Sequence, residues 1–426
     1  MSKTLALQGG DPIRSTPISP WPIFGDAERQ GLARALESGT WGFNGPIEGE
    51  FAREFAAFQG VKHVHCASNG SVTLELALKA LGIGPGDEVI VPALTWIATA
   101  WAPLQVGATP VFADIRPGDW CLDPEDVRNK LTDRTRCIIP VHLYSQLAQM
   151  DELLEIAREH RLRVIEDCAH THGSEWQGKA VGGLGDIGSF SFQHTKGMTA
   201  GEGGAMTTDD DHLSDELFRL KNCGRSPSPD TPTGFGSNNR ITEFQAAVLL
   251  GQLSRLPDQI ATRSKNIDLL RGQLDQIPGI RVLDAKEEVT RQGMYCLSIS
   301  YDYRSANGVP RDVFVDALRA EGIPVTAPYE VVYQSELWRP GVEHWRFPTG
   351  KDAATELGLH SHCPVAEQVS SEGGIVVAHQ ALLGGRADTQ DIVDAFEKVH
   401  RLSDQLRWKA LDRKLRSGVK KLLRMK

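Results

Sequence analysis

Seven short apolar runs punctuate residues 63–208 and predict the strands of one sheet: HVHCAS (63–68), EVIVP (88–92), PVFADI (110–115), RCIIPVHL (136–143), LRVIEDCA (162–169), GSFSFQ (188–193) and GGAMTT (203–208). Several are apolar at almost every position, the pattern of strands covered on both faces. Between them the period lengthens. SVTLELALKAL (71–81) sets Leu74, Ala77, Leu78 and Leu81 on one helical face, and DELLEIAREH (151–160) does the same with Leu153, Leu154, Ile156 and Ala157. This alternation predicts an α/β fold: an open, doubly wound, mostly parallel seven-stranded sheet with helices on both faces. Such sheets gather ligands at the C-terminal ends of their strands.

A Pro/Ser/Gly-rich loop, 226–236, is followed by helical patterning from Ile241 to about Ile277. A smaller unit comes next, with the strand-like YCLSISY (295–301), a helix in RDVFVDALRAEG (311–322) and a closing helix from Asp388 to Leu406. The expected organisation is a large domain over 1–265 including an N-terminal arm, a small C-terminal α/β domain over 266–406, and a basic tail over 407–426. That tail carries nine basic side chains against one acid and reads as a solvated helix end.

Composition narrows the function. With 426 residues, 40% hydrophobic and 24% charged, the chain is neither disordered nor a multi-span membrane protein. A net charge of −9 offers no positive field for phosphate backbones, so no nucleic-acid partner is expected. Val89 to Ala113 is uncharged and long enough to span a bilayer, but Pro92, Thr95, Thr99, Pro103, Gln105 and Pro110 break it into strand, loop, short helix and strand. No membrane association is expected. Seven scattered cysteines without a C-x-x-C pair argue against a disulfide framework or thiolate zinc, and the N-terminus lacks the apolar stretch of a secretory signal. A reducing cytoplasm suits this.

The chemistry concentrates in VIEDCAHTHG (164–173) and GDIGSFSFQHTKGMTAGEGG (185–204). Asp167 ends one strand; Ser191, Lys196 and a glycine-rich turn end another, so they can meet at the sheet's ligand edge. A buried lysine is costly unless its charge is removed, and capture as a Schiff base removes it. The natural partner is pyridoxal phosphate, whose ring nitrogen needs an acid such as Asp167. Taken singly, Lys196 reads equally as a surface lysine and Asp167 as a structural cap; their spacing and order favour the pair. In SNGSVTLELAL, Gly70 and Ser71 precede a helix whose N–H groups suit a phosphate, although a plain N-cap reads as well. Ser191 adds a hydroxyl. Trp96, in PALTWIATA, stacks on a ring or packs in the core with equal ease. The H-x-H pairs His63/His65, His170/His172 and His360/His362 lack a wider ligand set, so no metal is expected. GLGDIG and AGEGG lack the context of a nucleotide fingerprint.

These segments, with VGATPVFADI, IIPVHLYSQLAQMDEL and GSNNRITEFQAAVLLGQL, resemble the DegT/StrS sugar aminotransferases, within the fold type I pyridoxal-phosphate enzymes, over about residues 5–400. The resemblance implies that Lys196 carries the Schiff base, Asp167 meets the pyridine nitrogen and Trp96 stacks on the ring. It also implies that Gly70, Ser71 and Ser191 cradle the phosphate. Asn238 matches an asparagine that reaches the phosphate of the neighbouring subunit, implying a homodimer with shared sites. His170 stands where many relatives have glutamine; a neutral imidazole can donate a similar hydrogen bond, with titration as a possible source of pH dependence. The Q-H-T-K-x-M-T-A-G-E-G-G form, PYEVVYQSELW (328–338), HCPVAEQ (362–368) and VVAHQALL (376–383) look most like the branch acting on cyclitol ketones or making aminohydroxybenzoate. Tyr329, Tyr333 and His379 are then candidate substrate contacts.

The expected activity is amino transfer from glutamine or glutamate to a keto-sugar or keto-cyclitol, by a ping-pong Schiff-base mechanism. Three rivals stand beside it. An aromatising 3-amino-5-hydroxybenzoate-synthase-like enzyme would use the same lysine. A sugar dehydratase of this fold would carry histidine in place of Lys196. A non-catalytic regulatory protein on the same fold would have no need to keep both Lys196 and Asp167.

Overall fold

In the computed structural model, which describes residues 3–226, 228, 233–284, 286–338 and 358–406, all seven runs join one sheet. The strands are β1 (His63–Ala67), β2 (Glu88–Pro92), β3 (Thr109–Ala113), β4 (Thr135–Ile138), β5 (Arg163–Asp167), β6 (Ile187–Ser191) and β7 (Gly204–Thr208). Their order is β1-β7-β6-β5-β4-β2-β3. Neighbours from β6 through β3 pair in parallel, whereas β7 runs antiparallel to both β6 and β1. Six strands therefore point the same way, and their C-terminal ends form one edge. Every residue of β2, β6 and β7 is buried, as expected for strands covered on both faces. β4 stops at Ile138, short of residue 143, because Pro140 has no amide proton to continue the ladder. Val141 still bridges Asp167.

Helices cover the sheet. Gly70–Ala80 starts on Asn69, whose side chain accepts from the Val72 amide at 2.9 Å, and buries Leu74, Leu76, Ala77 and Leu78. Val89 to Ala113 folds as β2, the helix Ala98–Gln105 and β3, and among the described residues no helix is long and apolar enough to cross a membrane. Two N-terminal helices, Asp26–Glu37 and Pro46–Gln59, were absent from the sequence expectation; the second drives Phe51 and Phe55 against Phe190 and Phe192 of the β6 segment. Alternation along β6 turns Ser189 and Ser191 to the other face.

A second sheet holds β8 (Ile280–Val282), β9 (Cys296–Tyr301), β10 (Val325–Thr326) and β11 (Gly374–Ala378), all antiparallel, in the order β8-β9-β11-β10. It packs on the helices Arg311–Ala320 and Arg386–Arg401 in a core of its own, which Leu5 joins from the N-terminal arm. The helix Glu243–Leu274 passes unbroken through residue 265, placing Ile260 in the first core and Ile267 in the second. A rigid helix, not a linker, joins the two cores. The basic stretch 407–426 lies outside the described residues.

Candidate active site

The ends of β1, β2, β4, β5 and β6 converge, and each delivers one part of a site. Asp167 closes β5 almost fully buried. Its Oδ2 accepts from Thr99 Oγ1 at 2.8 Å and its Oδ1 from the Ala169 amide at 3.2 Å, which fixes the carboxyl plane. Burial pushes this carboxyl above its ordinary range, against the pull of Thr99, the Ala169 amide and Lys196. Behind it, Glu166 accepts the amides of Gly182, Leu184 and Gly185 at 2.8–2.9 Å and meets His142 Nε2 at 3.2 Å. That buried clamp ties the β5 end to the loop before β6.

Lys196 lies in the turn after β6, where its amide donates to the Gln193 carbonyl at 2.9 Å. The side chain is only 8% exposed, and burial lowers the ammonium from 10.5 to about 8, although Asp167 and Cys296 pull the other way. Lys196 feels the charge of Asp167, yet no ion pair within 4.0 Å closes between them. Nζ instead sits over the Tyr295 ring, 5.2 Å from its centroid. The result is an ammonium that gives up its proton far more readily than an ordinary lysine, held beside an anchored acid without being consumed by it.

At the β1 end, Gly70 opens its helix against Ser191. A Cβ on Gly70 would lie 2.6 Å from Ser191 Cβ, and one on Gly204 would lie 2.7 Å from the Asn69 backbone. Glycine at both positions lets the helix start, Ser191 and the start of β7 press together. Ser71, in the first turn, is exposed, Ser191 is buried beside Gly70, and the free N–H groups of a helix start suit an anion.

Aromatic rings form the other wall. Trp96 is 50% exposed, with its centroid 5.6 Å from Tyr329. His170 stacks between Tyr295 at 4.2 Å and Tyr144 at 5.4 Å. Its Nδ1 accepts the Tyr144 amide at 3.2 Å, which places the ring proton on Nε2, 3.4 Å from the Tyr329 hydroxyl. Burial, reinforced by Lys196, drives the His170 imidazole well below its ordinary value. The ring is therefore a fixed neutral donor, and the pH dependence expected from its titration does not arise near neutrality.

Of the three candidate substrate contacts, only Tyr329 lines this space. Tyr333 is buried away from it: its hydroxyl donates to Glu367 at 2.6 Å and accepts the Cys363 amide at 2.9 Å, while its ring packs on Phe112. It braces the segment from 363 to 367. Tyr333→Phe is expected to cost about 1–2 kcal/mol of stability in a denaturant titration and to leave turnover unchanged. His379 is also buried, with both ring nitrogens already engaged, by Arg263 at 3.1 Å and the Thr195 carbonyl at 3.0 Å. Neither tyrosine-333 nor histidine-379 ring is free to hydrogen-bond a substrate. Asn238 is exposed, with its backbone bridged to the buried Asn222.

Sequence reasoning missed Thr99, Tyr144 and Tyr295. Thr99 stands three residues after Trp96, in the first turn of the helix that follows β2. Tyr144 adopts φ +49°, which turns its amide onto His170, and periodicity does not reveal such a turn. Tyr295, just ahead of β9, reaches Lys196 from a distant part of the chain.

The chain matches the DegT/DnrJ/EryC1/StrS aminotransferase family over residues 22–378. It is 38% identical over 422 residues to an L-glutamine:2-deoxy-scyllo-inosose aminotransferase of Streptoalloteichus tenebrarius, covering 95% of this chain and 99% of the relative. An enzyme of the same name from Streptomyces fradiae is also 38% identical, over 94% of this chain and 98% of its own. Among solved structures, 3-amino-5-hydroxybenzoic acid synthase superposes with a TM-score of 0.79 at 36% identity, over 90% of this chain and 100% of that one. DesI, solved with its TDP-sugar product, superposes with a TM-score of 0.81 at 29% identity, over 95% and 98% of the two chains. This chain belongs to the DegT/DnrJ/EryC1/StrS aminotransferase family, and its fold is that of the pyridoxal-phosphate aminotransferases.

Proposed function

We propose that the chain is a pyridoxal-phosphate aminotransferase that moves the amino group of glutamine to the ketone of a cyclitol. The observation that carries the reading is the buried Lys196 amine, lowered to about 8 and not ion-paired to the anchored Asp167 whose charge it feels. The pressed opening at Gly70, Ser71 and Ser191 fits the cofactor's phosphate. When bound, the cofactor supplies an electron sink for negative charge on the donor's α-carbon.

The remaining work falls to side chains of this protein. Lys196 would hold the cofactor through Nζ and, once displaced by the donor's amine, would serve as the base for the donor's α-proton. Asp167, held by Thr99 and the Ala169 amide, keeps a proton on the ring nitrogen. Trp96 would cover one ring face, and His170 would donate from Nε2. Asn238, facing solvent in its own protomer, serves the phosphate of the partner, so the working unit is a homodimer. The exposed Leu36, Trp41 and Phe235 suit such an interface. Seven free cysteines, six of them buried, support a cytoplasmic setting.

The substrate class rests on the relatives named above. Purified protein should be yellow, should bleach with L-glutamine, and in the bleached form should aminate 2-deoxy-scyllo-inosose, read by product mass. Absence of bleaching with any amino acid would refute amino transfer. The 36% identity to 3-amino-5-hydroxybenzoic acid synthase favours one second reading, an aromatising reaction, and an aromatic product would establish it instead.

A further inference from the structure

Arg263 is a fully buried guanidinium on the helix Glu243–Leu274, and among the described residues no carboxylate pairs with it. Its Nε and Nη1 have no hydrogen-bond partner, Nη2 is engaged by Gln259 Oε1 at 3.5 Å and His379 Nδ1 at 3.1 Å, and the guanidinium carbon lies 5.7 Å from the centroid of the Trp21 ring. Desolvation alone lowers this arginine to about 9. So costly a placement calls for a structural or functional return.

The return lies one contact further on. A guanidinium has only donors, so His379 Nδ1 must accept and the ring proton must sit on Nε2. That proton points at the Thr195 carbonyl, 3.0 Å away, which belongs to the peptide unit shared with Lys196. Burial, then the charges of Arg263 and Lys196, holds His379 at about 3, against an upward pull from Thr195, so the ring stays neutral and the donor stays in place. The preceding carbonyl, of His194, accepts from Trp21 Nε1 at 2.9 Å, and Trp21 packs edge-on against His379 at 4.4 Å. Tyr295 completes the surround, with its hydroxyl 3.3 Å from Thr195 Oγ1. Two successive carbonyls leading into Lys196 are thus gripped from outside the turn, one by the N-terminal arm and one by the residue that follows β11.

We infer that Arg263 and His379 form a positioning clamp: the arginine sets the histidine tautomer, and the histidine holds the Thr195–Lys196 peptide so that Nζ faces the ring site. The clamp takes the place of the substrate contact expected at His379, and it rests on the reading of Lys196 as the residue that captures the cofactor. A displacement of about 1 Å at such a group costs on the order of 10–100-fold in rate.

Two isosteric variants isolate the Thr195 contact. His379→Gln keeps an acceptor toward Arg263 and a donor long enough for Thr195; His379→Asn keeps the acceptor but falls short of the carbonyl. The full-length protein, stripped of cofactor, is mixed with pyridoxal phosphate, and the growth of yellow absorbance gives the capture rate. Glutamine is then added, and the bleaching rate is measured against its concentration. Asn is expected to slow capture and saturated bleaching about 10-fold with the half-saturating glutamine concentration unchanged, and Gln to stay within about threefold of wild type. Equal rates in both variants, whether fast or slow, would overturn the clamp. Wild-type protein that captures the cofactor but ignores glutamine would refute amino transfer, and the Asn-to-Gln ratio of capture rates would still decide the clamp.

Discussion

Lys196→Met is expected to abolish amino transfer, by at least about 10²–10⁴-fold, and at the same time to stabilise the cofactor-free protein near neutral pH. The first effect follows from removing the amine that captures the cofactor and shuttles the proton. The second follows from linkage. The folded state holds Lys196 at about 8 against an ordinary 10.5, so between those values the unfolded chain binds more protons and stability rises with pH. Below about 8 the ammonium is charged in both states and the folded one bears the whole desolvation cost, on the order of 3 kcal/mol at roughly 1.4 kcal/mol per unit. Methionine keeps the volume without the charge. Urea titrations should therefore show the variant more stable at pH 7, with its advantage shrinking as pH rises from about 8 toward 10.5. Equal stability of the two proteins at pH 7 would contradict the buried-amine assignment.

Asp167→Asn should fold, take up cofactor and turn over about 10–10³-fold more slowly, the rate equivalent of losing a charge interaction of 1–3 pK units. Burial already presses this carboxyl toward its neutral form, so the amide adds no new desolvation cost. One of its two anchors survives, since asparagine still offers an oxygen to Thr99 Oγ1 or to the Ala169 amide. What is lost is the negative charge that keeps the ring nitrogen protonated. Single-turnover bleaching by glutamine measures this step directly; a rate within threefold of wild type would remove Asp167 from its proposed role, since a factor of three is only about 0.7 kcal/mol.

The two effects share a cause that local pattern conveys well. Asp167 and Lys196 follow strands whose apolar character is unmistakable, and all seven of those strands form. Their lateral order does not follow from any one run, because pairing is chosen by contacts between distant segments. The antiparallel β7 is an example: it enters between β1 and β6, with Gly204 close against the Asn69 backbone. The second sheet was harder still. Only Cys296–Tyr301 stands out, whereas Ile280–Val282 has three residues and Val325–Thr326, which pairs with Gly374–Ala378, has two.

Side-chain roles divide in the same way. Residues at strand ends, such as Trp96, Asp167 and Ser191, lie where the topology leads. Tyr333 and His379 come from segments that also run close to the site, but a few ångströms decide whether a ring faces a ligand or braces a loop. Tyr333 turned to Glu367, and His379 turned to Arg263. Arg263 itself sits inside the long helical pattern that runs to about Ile277, and its burial has no local signal.

The proposed chemistry depends above all on where the cofactor is attached. Reducing the yellow holoenzyme with borohydride, digesting it and locating the modified peptide by mass spectrometry should place the pyridoxyl group on Lys196, within QHTKGMTAGEGG. A label on any other lysine, or no label at all in protein that bleaches with glutamine, would contradict it.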